Sequence, residues 1–106
     1  MNLPREAEDA SFKGEEVEDE ELAGATFLRC SFRGARLEGV VTRRSTFQAC
    51  DFTLARLNGS EHEGSDFANA IFERAHLFGA RFSECRLVGA SFAGATLTGL
   101  TIEGGD

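Results

Sequence analysis

Two histidines, three cysteines and the run Glu61-His62-Glu63 are the residues of this 106-residue chain suited to metal ligation, proton transfer or nucleophilic attack. A structural zinc site needs about four such ligands converging on one point, and an activated nucleophile needs a base within hydrogen-bond reach. Short motifs do not bring them together. The glycines form no GxGxxG or P-loop pattern between a strand and a helix, so a phosphate cradle has no support. The elements that position these side chains must be read from longer-range order.

That order is a repeat. Stepping by five from Phe12 reaches Val17, Leu22, Phe27, Phe32, Leu37, Thr42, Phe47, Phe52, Leu57, His62, Phe67, Phe72, Leu77, Phe82, Leu87, Phe92, Leu97 and Ile102 with no insertion. Seventeen of these nineteen centres are large and apolar, and they hold nine of the ten phenylalanines. Two positions before the centres the residue is small in fifteen of nineteen cases, nine times Ala, three times Cys and three times Ser, with Glu15, Glu20, Val40 and Leu100 as the exceptions. Two positions after the centres stand eleven of the twelve glycines. Neither an amphipathic helix nor an alternating strand has this period. The chain must therefore turn every five residues, and glycine allows a corner with φ > 0 without steric penalty. Centre and small residue point inward together, and the other three positions point outward.

Grouping the centres by twenty stacks like on like. One side reads Phe12, Phe32, Phe52, Phe72, Phe92 and a second reads Val17, Leu37, Leu57, Leu77, Leu97. A third, mixed side reads Leu22, Thr42, His62, Phe82, Ile102, and a fourth reads Phe27, Phe47, Phe67, Leu87. Identical side chains one rung apart, about 4.8 Å, suit parallel in-register ladders. The expected fold is an all-β, four-sided parallel β-helix of between four and five coils. Phe12, Phe32, Phe52, Phe72, Phe92, Leu37, Leu57, Leu77 and Leu97 are its expected structural core.

On this frame the reactive residues separate. His62 faces inward above Thr42, as a hydrogen-bonded core histidine, whereas His76 lies on another side. Glu61 and Glu63 point away from His62, so the run does not make a metal site. Cys30 and Cys50 stack one coil apart with parallel Cβ directions, too wide for a relaxed disulfide, and Cys85 belongs to another side. All three are read as buried thiols in place of Ala. The reading contains no catalytic residue, no metal site and no cofactor.

Units such as Ala35–Gly39 (ARLEG), Cys50–Leu54 (CDFTL), Ala80–Glu84 (ARFSE) and Ala90–Gly94 (ASFAG) resemble the pentapeptide-repeat proteins, whose motif is A(D/N)LXX. The resemblance covers Ala10 to Gly104 and implies a right-handed quadrilateral β-helix. The units that depart from the motif, Val40–Arg44 and Ser60–Gly64, both fall on the mixed side, where a local deformation is expected. The family's quinolone-resistance members imitate DNA and bind type II topoisomerases, which requires acids along the whole rod. Here residues 1–21 hold nine acids and two bases, whereas residues 22–106 hold nine of each. Mimicry of DNA toward gyrase is therefore the alternative, and a small non-enzymatic protein-interaction scaffold is the main expectation.

The expected partner is another protein, not nucleic acid, because the balanced body lacks a basic excess. Arg36, Arg56 and His76 stack in a short positive strip, read as a solvated ladder, with an acidic partner as its alternative. Candidate interface residues are Leu28, Val88, Phe78, Leu97 and Ile102, the last two in a weak end-to-end homodimer through the C-terminal coil. Residues 1–9 are expected to be an acidic tail, 10–104 the solenoid and 105–106 its end, with Glu15 and Glu20 opening the first coil to solvent. No run approaches the roughly 20 apolar residues of a membrane span, and Met1–Ala10 lacks the apolar core of a signal peptide. The expected location is the cytoplasm.

Overall fold

The computed structural model describes residues 3–106. The chain coils through four sides per turn, and every fifth residue from Asp9 to Gly104 has a positive φ. The mixed side is a five-stranded parallel sheet of β2 (Glu21–Ala23), β4 (Val41–Arg43), β6 (Glu61–Glu63), β7 (Arg81–Ser83) and β8 (Thr101–Glu103). On the fourth side β1 (Glu6–Glu8), β3 (Thr26–Leu28) and β5 (Thr46–Gln48) form a parallel sheet, which bridges at Asp66 and Arg86 continue. The other two sides are ladders of single bridges, Ser11–Ser31–Asp51–Ile71–Ser91 and Glu16–Arg36–Arg56–His76–Thr96. Register is twenty residues at every rung, as in Phe27 opposite Phe47 and His62 opposite Phe82.

Three details differ from the sequence reading. The solenoid starts one rung earlier, because Glu6–Glu8 pairs with Thr26–Leu28, so the segment expected as a tail already carries sheet. Its centre is Ala7, too small to register as one, and Leu3 packs beside it against the core. Residues 1 and 2 of the expected tail lie outside the described residues. The first coil is closed, with Val17 only 1% exposed, because Glu15 and Glu20 stay partly exposed and lend their backbone carbonyls to Arg36 and Val41. The mixed side is also undeformed at Thr42 and His62.

Two kinds of corner alternate with the sides. After Phe12, Phe32, Phe52, Phe72 and Phe92, and after Leu37, Leu57, Leu77 and Leu97, the centre's carbonyl accepts the amide three residues on, as in Ala55 N–H to Phe52 O at 3.0 Å. Corners on the mixed side, and those after Phe27 and Phe47, lack this bond and are open. A buried polar group without a partner costs about 1–3 kcal/mol, so an open corner needs another donor and acceptor. The small residue one coil up supplies them. Ser45 Oγ donates to Leu22 O and accepts from Ala25 N–H, Cys50 Sγ donates to Phe27 O, and Cys85 Sγ donates to His62 O. Ser65 Oγ in turn accepts from Ser45 N–H. Ala25 follows the open corner after Leu22, but from Ala35 onward Ala follows closed corners, and apart from Ser60 the Ser and Cys of this phase follow open ones.

The interior is a pair of phenylalanine stacks. Phe12, Phe32, Phe52, Phe72 and Phe92 stack with ring centroids 5.2, 5.1, 5.1 and 5.0 Å apart, and Phe27, Phe47 and Phe67 at 5.3 and 5.0 Å. The stacks meet edge to face, as Phe32 meets Phe47 at 6.0 Å and 67°. Offset-stacked and edge-to-face contacts are both favoured by the ring quadrupole. Phe12, Phe32, Phe52, Phe72, Leu37, Leu57 and Leu77 are buried, and Phe92 is half-buried. Leu97, expected in the core, is 46% exposed, because it lies in the last rung with no described coil above it.

Phe52→Ala, which empties the middle of one stack, is expected to lower stability by about 3–5 kcal/mol in chemical denaturation. Ser45→Ala, a change toward the commonest residue at its phase, is expected to cost about 1–3 kcal/mol because Ala25 N–H loses its acceptor. Ser45→Ala indistinguishable from the parent would remove the open-corner account.

Candidate functional site

The mixed side gathers the polar residues of the interior. Thr42 and His62 occupy centres where the rest of the ladder carries Leu, Phe or Ile, and both are buried. His62 Nδ1 lies 2.8 Å from Thr42 Oγ1, its Nε2 lies 2.9 Å from Ser60 Oγ, and Thr42 Oγ1 lies 3.1 Å from Ser65 Oγ. The imidazole stacks on Phe82 at 4.7 Å and meets the edge of Phe67 at 5.0 Å. Burial pushes its pKa down to about 3, so the ring is neutral, with one donor and one acceptor nitrogen matched by hydroxyls. Ser60, unlike the other serines of its phase, follows a closed corner and serves His62 instead. These groups satisfy one another, and none is open to a substrate.

The thiols are equally enclosed. Cys30, Cys50 and Cys85 are free and buried. Burial raises the Cys50 pKa to about 12 and also raises that of Cys85, which keeps both as S–H donors to carbonyls and not as thiolate nucleophiles. Glu61 and Glu63 project outward from the strand that buries His62. Val41, Arg43, Arg81 and Ser83 surround them in a shallow hollow of about 140 Å³. Arg43 pairs with Glu21 and Arg81 with Glu103, so both arginines lean away from these two glutamates. His76 stands exposed on another side. No group of three His, Cys, Asp or Glu side chains suited to a metal occurs among the described residues.

What remains is the outer surface. Phe78 is 56%, Val88 50% and Ile102 50% exposed, and with Leu97 they are joined by Leu54 at 42%, which the sequence reading left outside the candidate set. Leu28 is only half-exposed, between Glu8 and Gln48 on its ladder. Phe78 stands on the side headed by the Leu77 centre and Val88 on the one headed by Leu87, so the five candidates form no single patch. The sequence already shows Leu54 as an outward apolar residue, at a corner position where glycine predominates.

The charges divide along the rod. The described part of the acidic segment, residues 3–21, forms the first coil and the start of β2. Arg29 on the coil above holds Glu8 and Asp9, and this contact lowers the Asp9 pKa. No helix among the described residues is long and apolar enough to cross a membrane.

Four parallel ladders in five-residue steps, a core of stacked phenylalanines and side chains displayed on a regular lattice define a repeat solenoid whose working surface is its exterior. The pentapeptide-repeat family model matches residues 50–77 and 75–106, more than half of the chain, and the protein belongs to that family. No curated protein matches it by sequence. Among solved structures, HetL, a pentapeptide repeat protein involved in heterocyst differentiation regulation in the cyanobacterium Nostoc sp. strain PCC 7120, superposes with a TM-score of 0.86 at 26% identity. The match covers 91% of this chain and 40% of HetL. QnrB1, a plasmid-mediated fluoroquinolone resistance protein, superposes in its full-length form with a TM-score of 0.73 at 26% identity, covering 87% of this chain and 48% of that one. A trypsin-treated QnrB1 gives 0.85 at 24% identity over 92% and 50%. The chain thus spans half or less of the length of these neighbours.

The buried imidazole gives the fold a pH dependence of known sign. The folded pKa of about 3 lies below the ordinary 6.5, so between these values the unfolded chain binds a proton that the folded chain does not. Stability contributed at His62 is present above about pH 6.5 and is lost as pH falls, at about 1.4 kcal/mol per unit. Denaturation between pH 6.5 and 4.5 is expected to show this slope in the parent and to lose it in His62→Phe. Equal slopes in the two chains would contradict a neutral, buried His62.

Proposed function

We propose that the protein is a non-enzymatic interaction module, a stiff ladder that presents side chains to another protein and performs no chemistry itself. The observation that carries this reading is the apolar display on a backbone-bonded frame. Phe78 and Val88 stand out from rungs tied to the coil below, through Gly59 N–H to Phe78 O and Asn69 N–H to Val88 O, and no charged residue occurs from Leu87 to Ile102. Protein interfaces are depleted of charge at their centres and enriched in aromatic side chains. The uncharged run from Leu87 to Ile102 also supports weak end-to-end pairing of two copies through Leu97 and Ile102. A two-fold contact of that kind closes on itself, and its small cross-section falls below the roughly 1,200–2,000 Å² of stable interfaces.

The likeness to QnrB1 favours a second reading, DNA mimicry directed at a type II topoisomerase. It needs acids spaced along the rod, whereas here they crowd into the first coil.

Three measurements separate the readings. The interaction module is expected to capture a partner from its host lysate that also binds the purified chain, and to leave DNA supercoiling by purified gyrase unchanged. In sedimentation, a concentration-dependent dimer of the parent should become monomeric in Leu97→Glu with Ile102→Lys; a parent monomeric throughout would remove the end-to-end contact. Gyrase inhibition that vanishes when Glu15, Glu16, Glu18, Glu20 and Glu21 are changed to Gln would transfer the function to mimicry.

A further inference from the structure

Leu54 is an outlier twice over. Its φ is 61°, in the left-handed region, and it is the only apolar side chain larger than Ala to hold that conformation among the described residues. Its side chain is also 42% exposed, so the strain is not offset by burial. An L-residue in this region is disfavoured by about 1–2 kcal/mol. Arg29, Arg44, Ala49, Arg74 and Glu84 hold the same corner conformation, so the frame sets this φ, and Leu54 stands out as the one large apolar side chain that bears it among the described residues. Its corner neighbours one and two coils below are Gly34 and Gly14, where a Cβ would meet nothing within 4 Å. Leu54 therefore stands above two bare corners, which leave an open notch beneath it.

The rim of that notch is positive. Arg36, Arg56 and His76 succeed one another at single-rung spacing on the side after this corner. Arg74 takes the corner position one coil above Leu54, its stem rising past Gly94. None of the ion pairs among the described residues includes Arg36, Arg56 or Arg74, although Arg29, Arg33, Arg43, Arg81 and Arg86 are all paired. Glu38, two residues from Arg36, makes no ion pair with it and keeps a buried carboxylate oxygen with no hydrogen-bond partner. Like charges directly opposite on adjacent strands destabilise a sheet. This chain thus holds stacked, unpaired guanidinium groups around a strained, exposed leucine while its net charge is −7.

We propose that this corner, formed by Gly34, Arg36, Leu54, Arg56, Arg74 and His76, is a docking site for an acidic segment of a partner protein. Carboxylates of the segment bridge the stacked arginines, and one of its apolar side chains rests in the notch against Leu54. Arginine forks match carboxylates in bidentate geometry. A long polyanion such as DNA fits the site less well, because the strip spans three rungs and ends against Glu16 below and Glu73 beside Arg74. The proposal rests on the interaction-module reading and names the chemistry of the partner.

The test uses the full chain and three fluorescein-labelled probes in fluorescence anisotropy: an acidic peptide with one leucine among glutamates, its glutamine counterpart and a DNA duplex. The acidic peptide is expected to bind saturably, more weakly as salt rises, with the glutamine peptide and the duplex at least about tenfold weaker. Arg56→Glu and Arg36→Ser, both at exposed positions, are each expected to cost about tenfold or more in affinity. Leu54→Gly is the decisive variant, since it should weaken peptide binding while raising the melting temperature by relieving the left-handed corner. A lowered melting temperature would make Leu54 structural and overturn the proposal. So would tighter binding of the duplex, or affinity unchanged in the arginine variants. Salt-sensitive self-association abolished by Arg56→Glu would also overturn it, by assigning the site to the acidic first coil of a second copy. A lysate partner retained equally by the parent and Arg56→Glu would overturn this site and leave the interaction module standing.

Discussion

Every residue of this protein answers to the residue twenty positions away. Parallel in-register stacking puts position i directly over position i − 20, with backbone bonds such as Phe52 N–H to Ile71 O at 2.6 Å locking each rung to the next. A side chain then has its neighbours chosen for it. Phenylalanine beneath phenylalanine gives stacked rings near 5 Å, and the glycine of one corner leaves room for the side chain rising from the corner below, as Asp19 rises to Gly39. The same rule governs polar groups. Thr42 is tolerable in the core because His62 and Ser65 engage its hydroxyl, and His62 because Thr42 and Ser60 match its two ring nitrogens.

That constraint explains how much of the fold could be read from the chain alone. The five-residue phase and the twenty-residue likeness fix the number of sides, the inward residues and the ladder register, because a parallel ladder carries no freedom beyond these. The alternation of open and closed corners was visible only as noise, in which Ser and Cys replace Ala. The physical signal was there: Ser45, Ser65, Cys50 and Cys85 each sit where a side-chain donor or acceptor must stand in for a missing backbone bond. Reading those thiols as small apolar fillers gave the right burial and missed their hydrogen bonds. Ala7 escaped notice because size, not phase, was used to recognise a centre, and at the first rung Leu3 fills the volume that a larger centre would take.

The candidate surface was less legible than the core for a related reason. Inward positions are constrained by stacking, so a pattern betrays them, whereas outward positions are free and a partner's demands leave no period. Leu54 shows what kind of evidence survives. It is informative because it violates a local rule of the frame, being a large apolar side chain at a corner where Gly, Asp or Asn, at fourteen of the twenty corners from Asp9 to Gly104, bears the same φ at lower cost. The arginine ladder beside it violates a second rule, that stacked like charges find counter-ions.

A solenoid separates folding from recognition more cleanly than a fold with one continuous core. Stability comes from nearest-neighbour contacts between coils, and any outward residue can change without altering the interior, provided its corner φ is respected. Two corners one rung apart can therefore carry different tasks: Gly34 turns the chain and no more, while Leu54 turns the chain under strain and shows an apolar group to solvent. The acidic first coil follows the same logic in reverse. Glu6, Glu8, Asp9 and Glu16 add repulsive charge on the outward positions of one end without disturbing the buried Phe12 and Val17 beneath them. An acidic first coil, an uncharged run from Leu87 to Ile102 and a basic corner between them give the solenoid three chemically distinct surfaces on one repeating backbone.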